Sequence, residues 1–380
     1  VNLPSVIEFF AGSGLVTEGL ANHCDVIWAN DISAKKSLIY TANHSDSHFL
    51  LEDIVNINGS DLEDCDISWA SFPCQDLSLA GKMKGLKAER SGMFWEWLRI
   101  MDEMVSAPSI LCLENVIGLL SSRNSEDYLI LHRALADRGY RVGPMVLDAL
   151  GWVPQSRRRV FIVAVKHHVD TLAHEDVAPN WLHPKVLTRA TSRLVDFSSL
   201  VWWRMVAPAP RAAKIEDLLD WDEACFDEER ARKLMGLIPP AHRKQMERQA
   251  SLSSRMAFPG YRRTRNGKQV LELRFDHISG CLRTAEGGSS KQFLILWQSG
   301  DWSARLLTPR EAARLMGAPE GYILGKTYNE SYNAMGDAVV VPVVSHLAKY
   351  LLNPIASSSR KNHKSTHDVG TKTQRFRLHA

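Results

Sequence analysis

The stretch SVIEFFAGSGLVTEGL, residues 5–20, decides the fold. Its first half is a short apolar run of the β type, its second half a helical pattern, and between them lies the turn Phe10-Ala11-Gly12-Ser13-Gly14. Glycines at a strand-to-helix turn let the backbone approach a ligand closely at the helix N-terminus. Working outward, the alternation continues. DVIWAN (25–30), DISWASF (66–72), ILCLENV (110–116), RVGPMVLDA (141–149) and RVFIVAV (159–165) read as strands rich in Val, Ile and aromatics. SAKKSLIYTANH (33–44), MFWEWLRIMDEMVS (93–106) and EDYLILHRALADRG (126–139) read as the intervening helices. Strand and helix at this spacing predict an α/β fold, a doubly wound and mostly parallel sheet covered on both faces. Ligands in such sheets sit at the carboxyl ends of the strands.

The 380 residues are 45% hydrophobic and 23% charged, which leads us to expect about two domains. The mean hydropathy is near zero and no run of about 18 apolar residues occurs, so no membrane span is expected. No basic segment precedes the first apolar run, so it reads as a strand and not a signal peptide, and a cytoplasmic protein is expected. The six cysteines are scattered without CxxC spacing, which argues against a disulfide framework and a zinc site and leaves room for one reactive thiol. The formal net charge of +3 conceals an uneven distribution. Residues 1–180 carry 15 Lys+Arg and 24 Asp+Glu, residues 181–300 carry 20 and 13, and residues 301–380 carry 11 and 6. The basic middle segment points to a polyanionic partner.

Beyond the glycine turn, the next strand ends at Asn30-Asp31, about twenty residues on, where an acid accepts hydrogen bonds from ribose hydroxyls. A further acid, Asp53 before Ile54, is placed to read an adenine edge. The pattern fits a dinucleotide or S-adenosylmethionine. A dinucleotide normally asks for GxGxxG, and Thr17 stands where the last glycine belongs, which favours the cofactor without a pyrophosphate. The fourth strand runs into Ser71-Phe72-Pro73-Cys74-Gln75 and a loop long enough to act as a lid, so Cys74 has the placement of a nucleophile, although a lone Cys is more often structural. The fifth strand ends at Glu114-Asn115-Val116. Alternation puts Gln155, Arg157 and Arg159 on one side of an extended strand.

The ordered set FAGSG, PCQ, ENV, QSRRR, RLLTPREAARLMG and GDAVVVPV resembles the DNA (cytosine-5) methyltransferase family, over about 5–165 and 305–350. The resemblance implies S-adenosylmethionine as cofactor and double-stranded DNA as partner. It implies a Rossmann-like methyltransferase fold over 1–175, an inserted target-recognition domain over 176–320, a returning segment over 321–355 and a basic disordered tail over 356–380. Cys74 matches the family nucleophile that adds to carbon-6 of cytosine, and Glu114 the carboxyl that contacts the ring nitrogen. Arg159, supported by Arg157 and Gln155, matches the groups near the ring oxygen, and Asn115 the residue that braces the PCQ loop. Cofactor contacts carry over to Phe10, Gly12, Gly14, Asp31, Ile32, Asp53, Ile54, Pro73, Asp337, Ala338 and Val339. Asp337 is a departure, because many members have Asn there. Residues 76–92 match a mobile catalytic loop, in which Gln75 at its entry, Ser78, Lys82, Lys84, Lys87 and Arg90 are expected at the DNA. In the variable segment the expected DNA contacts are Arg283 and Thr284.

A monomer is expected, with a cognate restriction endonuclease as candidate partner. Three rival readings remain: a tRNA cytosine methyltransferase, which usually has a shorter insert, a catalytically inactive DNA-binding homologue, and an oxidoreductase.

Overall fold

The computed structural model describes residues 3–73, 92–166, 172–174, 181–284 and 290–358. Seven strands form the main sheet: β1 Ser5–Phe9, β2 Asp25–Asp31, β3 Phe49–Leu51, β4 Ile67–Ala70, β5 Ile110–Val116, β6 Arg141–Asp148 and β7 Arg158–Val165. Their order is β3-β2-β1-β4-β5-β7-β6. β1 to β5 pair in parallel, whereas β7 runs antiparallel to both β5 and β6. The chain order reverses between β1 and β4, the point at which an open α/β sheet leaves a crevice at the strands' carboxyl ends.

Both faces of this sheet are buried, which explains why its strands read as continuous apolar runs. Alternate residues sort into two cores. Val6, Trp69, Cys112 and Phe161 face one side. That core also takes in residues of α1 Leu15–Leu20, α8 Pro309–Leu315, α9 Tyr328–Asp337 and α10 Val341–Leu347. Ile7, Phe9, Leu111 and Ile162 face the other. There they meet α3 Met93–Glu103, α4 Glu126–Ala136 and α5 Lys185–Thr191. α2 Ala34–Asn43 follows β2 and is capped by the Ser33 side chain.

The stretch 176–320 divides differently from the single insert expected of it. Leu187 and Ala190 of α5 lie in the main core. The short strand pair β8 Ala173–His174 and β9 Trp202–Trp203 sits beside β6, where Leu200 bridges to Val142. Trp203 donates its indole N–H to the carbonyls of Gly143 and Val163 at 3.0 and 3.1 Å. A Cβ on Gly143 would lie 1.9 Å from that nitrogen, so only glycine permits the packing. The second domain is smaller and begins later. Its antiparallel sheet has the order β11-β10-β12-β13, built from β10 Arg255–Arg265, β11 Lys268–Leu273, β12 Phe293–Gln298 and β13 Asp301–Leu306. Phe258, Leu271 and Ile295 pack there with Leu234 of α6 Glu228–Met235 and Met246 of α7 Pro240–Ala250. α8, also placed in the insert by the sequence, belongs to the main core. A buried bidentate pair joins the two domains: Arg305 of β13 donates to Glu311 of α8 at 2.6 and 2.8 Å.

After α9 the chain turns at Ala338–Val340 and re-enters helix, which continues through Ser358. Ile355 and Ala356 are buried, so the fold extends past the expected start of the tail at 356, and residues 359–380 lie outside the described residues. The apolar stretch Tyr328–Ser358 has the length and composition of a membrane span, but half of its most apolar window is buried in the fold and its helix is interrupted before α10. It reads as a core element.

Candidate active site

A cleft of about 580 Å³ opens at the carboxyl ends of β1, β2, β4 and β5 and is closed on its far side by the end of α9. The turn after β1 forms one wall. Phe10 and Gly12 take left-handed conformations, with φ of 59° and 58°. Among the described residues beyond its chain neighbours, only Lys36 Cδ, at 3.8 Å, lies within 4 Å of where a Cβ on Gly12 would be. The carboxylate of Asp31 fastens this turn, accepting from the Gly12 amide at 2.8 Å and the Ser33 amide at 2.7 Å. Beside it the Ile32 side chain is 67% exposed, an apolar surface at the cleft that the fold leaves open.

The opposite end is built from β4, β5 and β7. Because β7 runs against β5, it begins where β5 ends: Arg159 pairs with Val116, two residues beyond Glu114 on the same face. The Arg159 Nε donates to Glu114 Oε1 at 3.0 Å. Glu114 is buried, and that burial raises its carboxyl above the usual range, with the Arg159 and Arg157 guanidinium groups and a Ser71 hydrogen bond acting the other way. Asn115 Nδ2 donates to the Phe72 carbonyl at 3.0 Å, holding the backbone one residue before Pro73 at the rim.

The lining suits a nucleoside joined to an amino acid. The volume is in the range of small-molecule sites. Among the described residues the charged lining groups are Asp31, Glu114 and Asp337 with Lys36 and Arg159, and no cluster of cations gathers there to take a pyrophosphate. These residues fit S-adenosylmethionine, with the turn at Phe10–Gly12 and Asp31 on one side and Pro73, Ala338 and Val339 on the others.

A family profile for C-5 cytosine-specific DNA methylase matches residues 5–353. The chain belongs to this family. It is a DNA (cytosine-5-)-methyltransferase, a class that uses S-adenosylmethionine. The methylase is 27% identical over 353 residues to Type II methyltransferase M.Bsp6I of Bacillus sp. (strain RFL6), covering 90% of this chain and 97% of that one. It is 24% identical over 350 residues to Type II methyltransferase M.HhaI of Haemophilus parahaemolyticus, covering 90% and 92%. Among solved structures it is similar to the Entamoeba histolytica methyltransferase EhMeth, at a TM-score of 0.62 and 16% identity over 93% of this chain and 99% of that one. The S. pombe Dnmt2 methyltransferase gives 0.55 and 20% over 93% and 99%. These likenesses show the Rossmann-like methyltransferase fold.

In the methylase the expected residues fall into four groups. Phe10, Gly12, Asp31, Ile32, Pro73, Glu114, Asn115, Arg159, Thr284, Asp337, Ala338 and Val339 all line the cleft. Others lie behind or beside it. Gly14 caps α1 in a left-handed conformation, with a ring atom of His44 2.6 Å from where its Cβ would be. Asp53 caps a 3-10 turn through the Val55 amide, and Ile54 is buried beneath it. Arg283 is exposed in a neighbouring hollow of about 500 Å³ with Tyr261, Arg263 and Arg274.

Gln155 and Arg157, expected to face the reacting base, turn into the protein instead. Arg157 precedes β7, so strand alternation does not govern it. Its guanidinium is fully buried and donates to the carbonyls of Leu282, Gly336 and Ala338 at 2.8, 2.9 and 2.7 Å. Gln155 donates to the Leu315 carbonyl at 2.9 Å and accepts from the Leu282 amide at 3.1 Å. Arg157 thereby ties Leu282 to the cleft wall at Gly336 and Ala338, and Gln155 ties it to α8. Cys74, Gln75, Ser78, Lys82, Lys84, Lys87 and Arg90 lie outside the described residues.

The sequence reading missed Ser71, which bonds Glu114, and Lys36, which pairs with Asp337 at 2.7 Å. It also missed Glu8, buried under the glycine turn with Thr17 donating to it. A charge inside an apolar strand was the available signal for Glu8. Lys36 gave none, since its partner lies at the far end of the chain.

Proposed function

We propose that the methylase transfers a methyl group to carbon-5 of a cytosine turned out of a specific duplex DNA site, through a covalent Cys74 adduct at carbon-6. Carbon-5 is a weak nucleophile, and addition of a thiolate at carbon-6 makes it enamine-like. Cys74 supplies the thiolate. Glu114, its carboxyl raised by burial, is the group placed to pass a proton to N3 as charge moves into the ring, and Arg159 holds both Glu114 and the ring oxygen. S-adenosylmethionine supplies the electrophilic methyl group. Loss of the carbon-5 proton to water, return of the N3 proton to Glu114 and departure of the Cys74 thiolate then restore the neutral aromatic ring. The observation that carries this reading is the buried Glu114–Arg159 pair in one cleft with Asp31 and the glycine turn.

Carbon-5 is out of reach inside a stacked duplex, so the base leaves the stack to enter the cleft. Thr284 stands at the cleft, and Arg283 in the adjoining hollow meets phosphate. The relatives' designation as Type II methyltransferases supports a DNA-modification role, and we propose that the methylase acts as a monomer alongside a cognate restriction endonuclease.

Incubating the methylase with tritiated S-adenosylmethionine and either duplex DNA or tRNA tests the substrate. Label in DNA is expected, and label confined to tRNA overturns the reading. Duplex DNA carrying 5-fluorocytosine should trap a covalent complex that the Cys74→Ser protein does not form.

A further inference from the structure

Five charged side chains line the cleft, and three have assigned work. Glu114 and Arg159 face the base. Asp31 is bonded to the Gly12 and Ser33 amides at the ribose end. The remaining two, Lys36 and Asp337, form an ion pair at 2.7 Å, each partly open to solvent.

This pair is poorly explained as a fastening. α2 and α9 are already joined by Lys35 to Glu330, and Asn43 exchanges two hydrogen bonds with Ile323 in the segment leading into α9. Each charge also opposes the dipole of its own helix. Lys36 stands in the first turn of α2, where a cation is disfavoured, and Asp337 is the last residue of α9, where an anion is disfavoured. The helices therefore gain nothing by placing these charges here.

A cation and an anion side by side complement a zwitterion. S-adenosylmethionine carries one, the α-ammonium and α-carboxylate of its amino-acid end, and among the described residues no other unassigned pair of opposite charges lines the cleft. We propose that Lys36 and Asp337 are the receptor for that end, Lys36 taking the carboxylate and Asp337 the ammonium, with their mutual contact exchanged for the two ligand contacts on binding. This rests on the cofactor reading and extends it to Lys36. It also gives the acid at 337 a role that a neutral amide would not fill, that of counter-charge to an ammonium.

The test compares S-adenosylhomocysteine, which has the amino-acid end, with 5′-methylthioadenosine, which lacks it, by calorimetric titration of the whole protein. Lys36→Met and Asp337→Ala should each weaken S-adenosylhomocysteine by about tenfold, the scale of one charge-assisted hydrogen bond. Both should leave methylthioadenosine within about twofold, a result that also reports an intact fold. Equal loss for the two ligands, or no loss for either, overturns the receptor while leaving the cofactor reading in place. Failure of the unmutated protein to bind either ligand overturns both.

Discussion

Glu114 and Glu8 are two buried carboxyls raised by the same cause, and they part company in what surrounds them. Glu114 opens on the cleft and meets Arg159, the setting in which we propose it as the proton donor. Glu114→Gln should lower single-turnover methylation by about 10²–10⁴-fold, the range of one acid–base group, with S-adenosylhomocysteine affinity retained in titration. Glu8 is sealed inside the sheet, where burial pushes its carboxyl up to about 8 from 4.5. The folded state therefore holds this proton while the unfolded chain releases it, and stability from this group is lost as the pH rises from 4.5 to about 8. Relative to the native chain, Glu8→Gln should gain stability across that window, on the order of a few kcal/mol, and hold the gain above it. Urea denaturation from pH 5 to 9 checks this, and a constant difference would contradict it. Asp31, Glu114 and Arg159 were legible in the sequence because they stand at strand ends. Arg157 was misread because the alternation used to orient it begins one residue later.

The elements of the main sheet were legible because both of its faces are buried and its strands become unbroken apolar runs. The reversal of β7 was not, since apolar periodicity carries no direction, and yet that reversal brings Arg159 to Glu114. Nor was the placement of α5 and β9 on the main sheet, which depends on the close approach of Trp203 to Gly143. A second close approach tests how α9 meets the recognition segment. A Cβ on Gly336 would lie 2.6 Å from the carbonyl carbon of Arg283 and 2.9 Å from the amide of Thr284. Gly336→Ala should push these backbones apart at a cost of about 1–3 kcal/mol and weaken DNA binding more than cofactor binding, as measured by thermal unfolding and the two titrations.

Across the whole molecule, the two domains are joined at the Arg305–Glu311 pair, which is buried on both sides. Removing one partner leaves an uncompensated charge, so Arg305→Met should cost about 3–5 kcal/mol in chemical denaturation, whereas an exposed pair such as Arg232–Glu228 should give under about 1 kcal/mol. The main core is closed by the latest described parts of the chain. α10 lies against α1, where a Cβ on Gly19 would come within 2.6 Å of Val344, and the cleft itself is completed only by Asp337–Val339. During synthesis from the N-terminus, strands β1 to β7 emerge long before the helices that cover one of their faces. That face stays open to water and to chaperones until residues 309–347 appear. A ribosome-bound fragment lacking α9 and α10 has the acids and the arginine in sequence but not the far wall of the cleft, so methyl transfer is expected only after α10 has emerged.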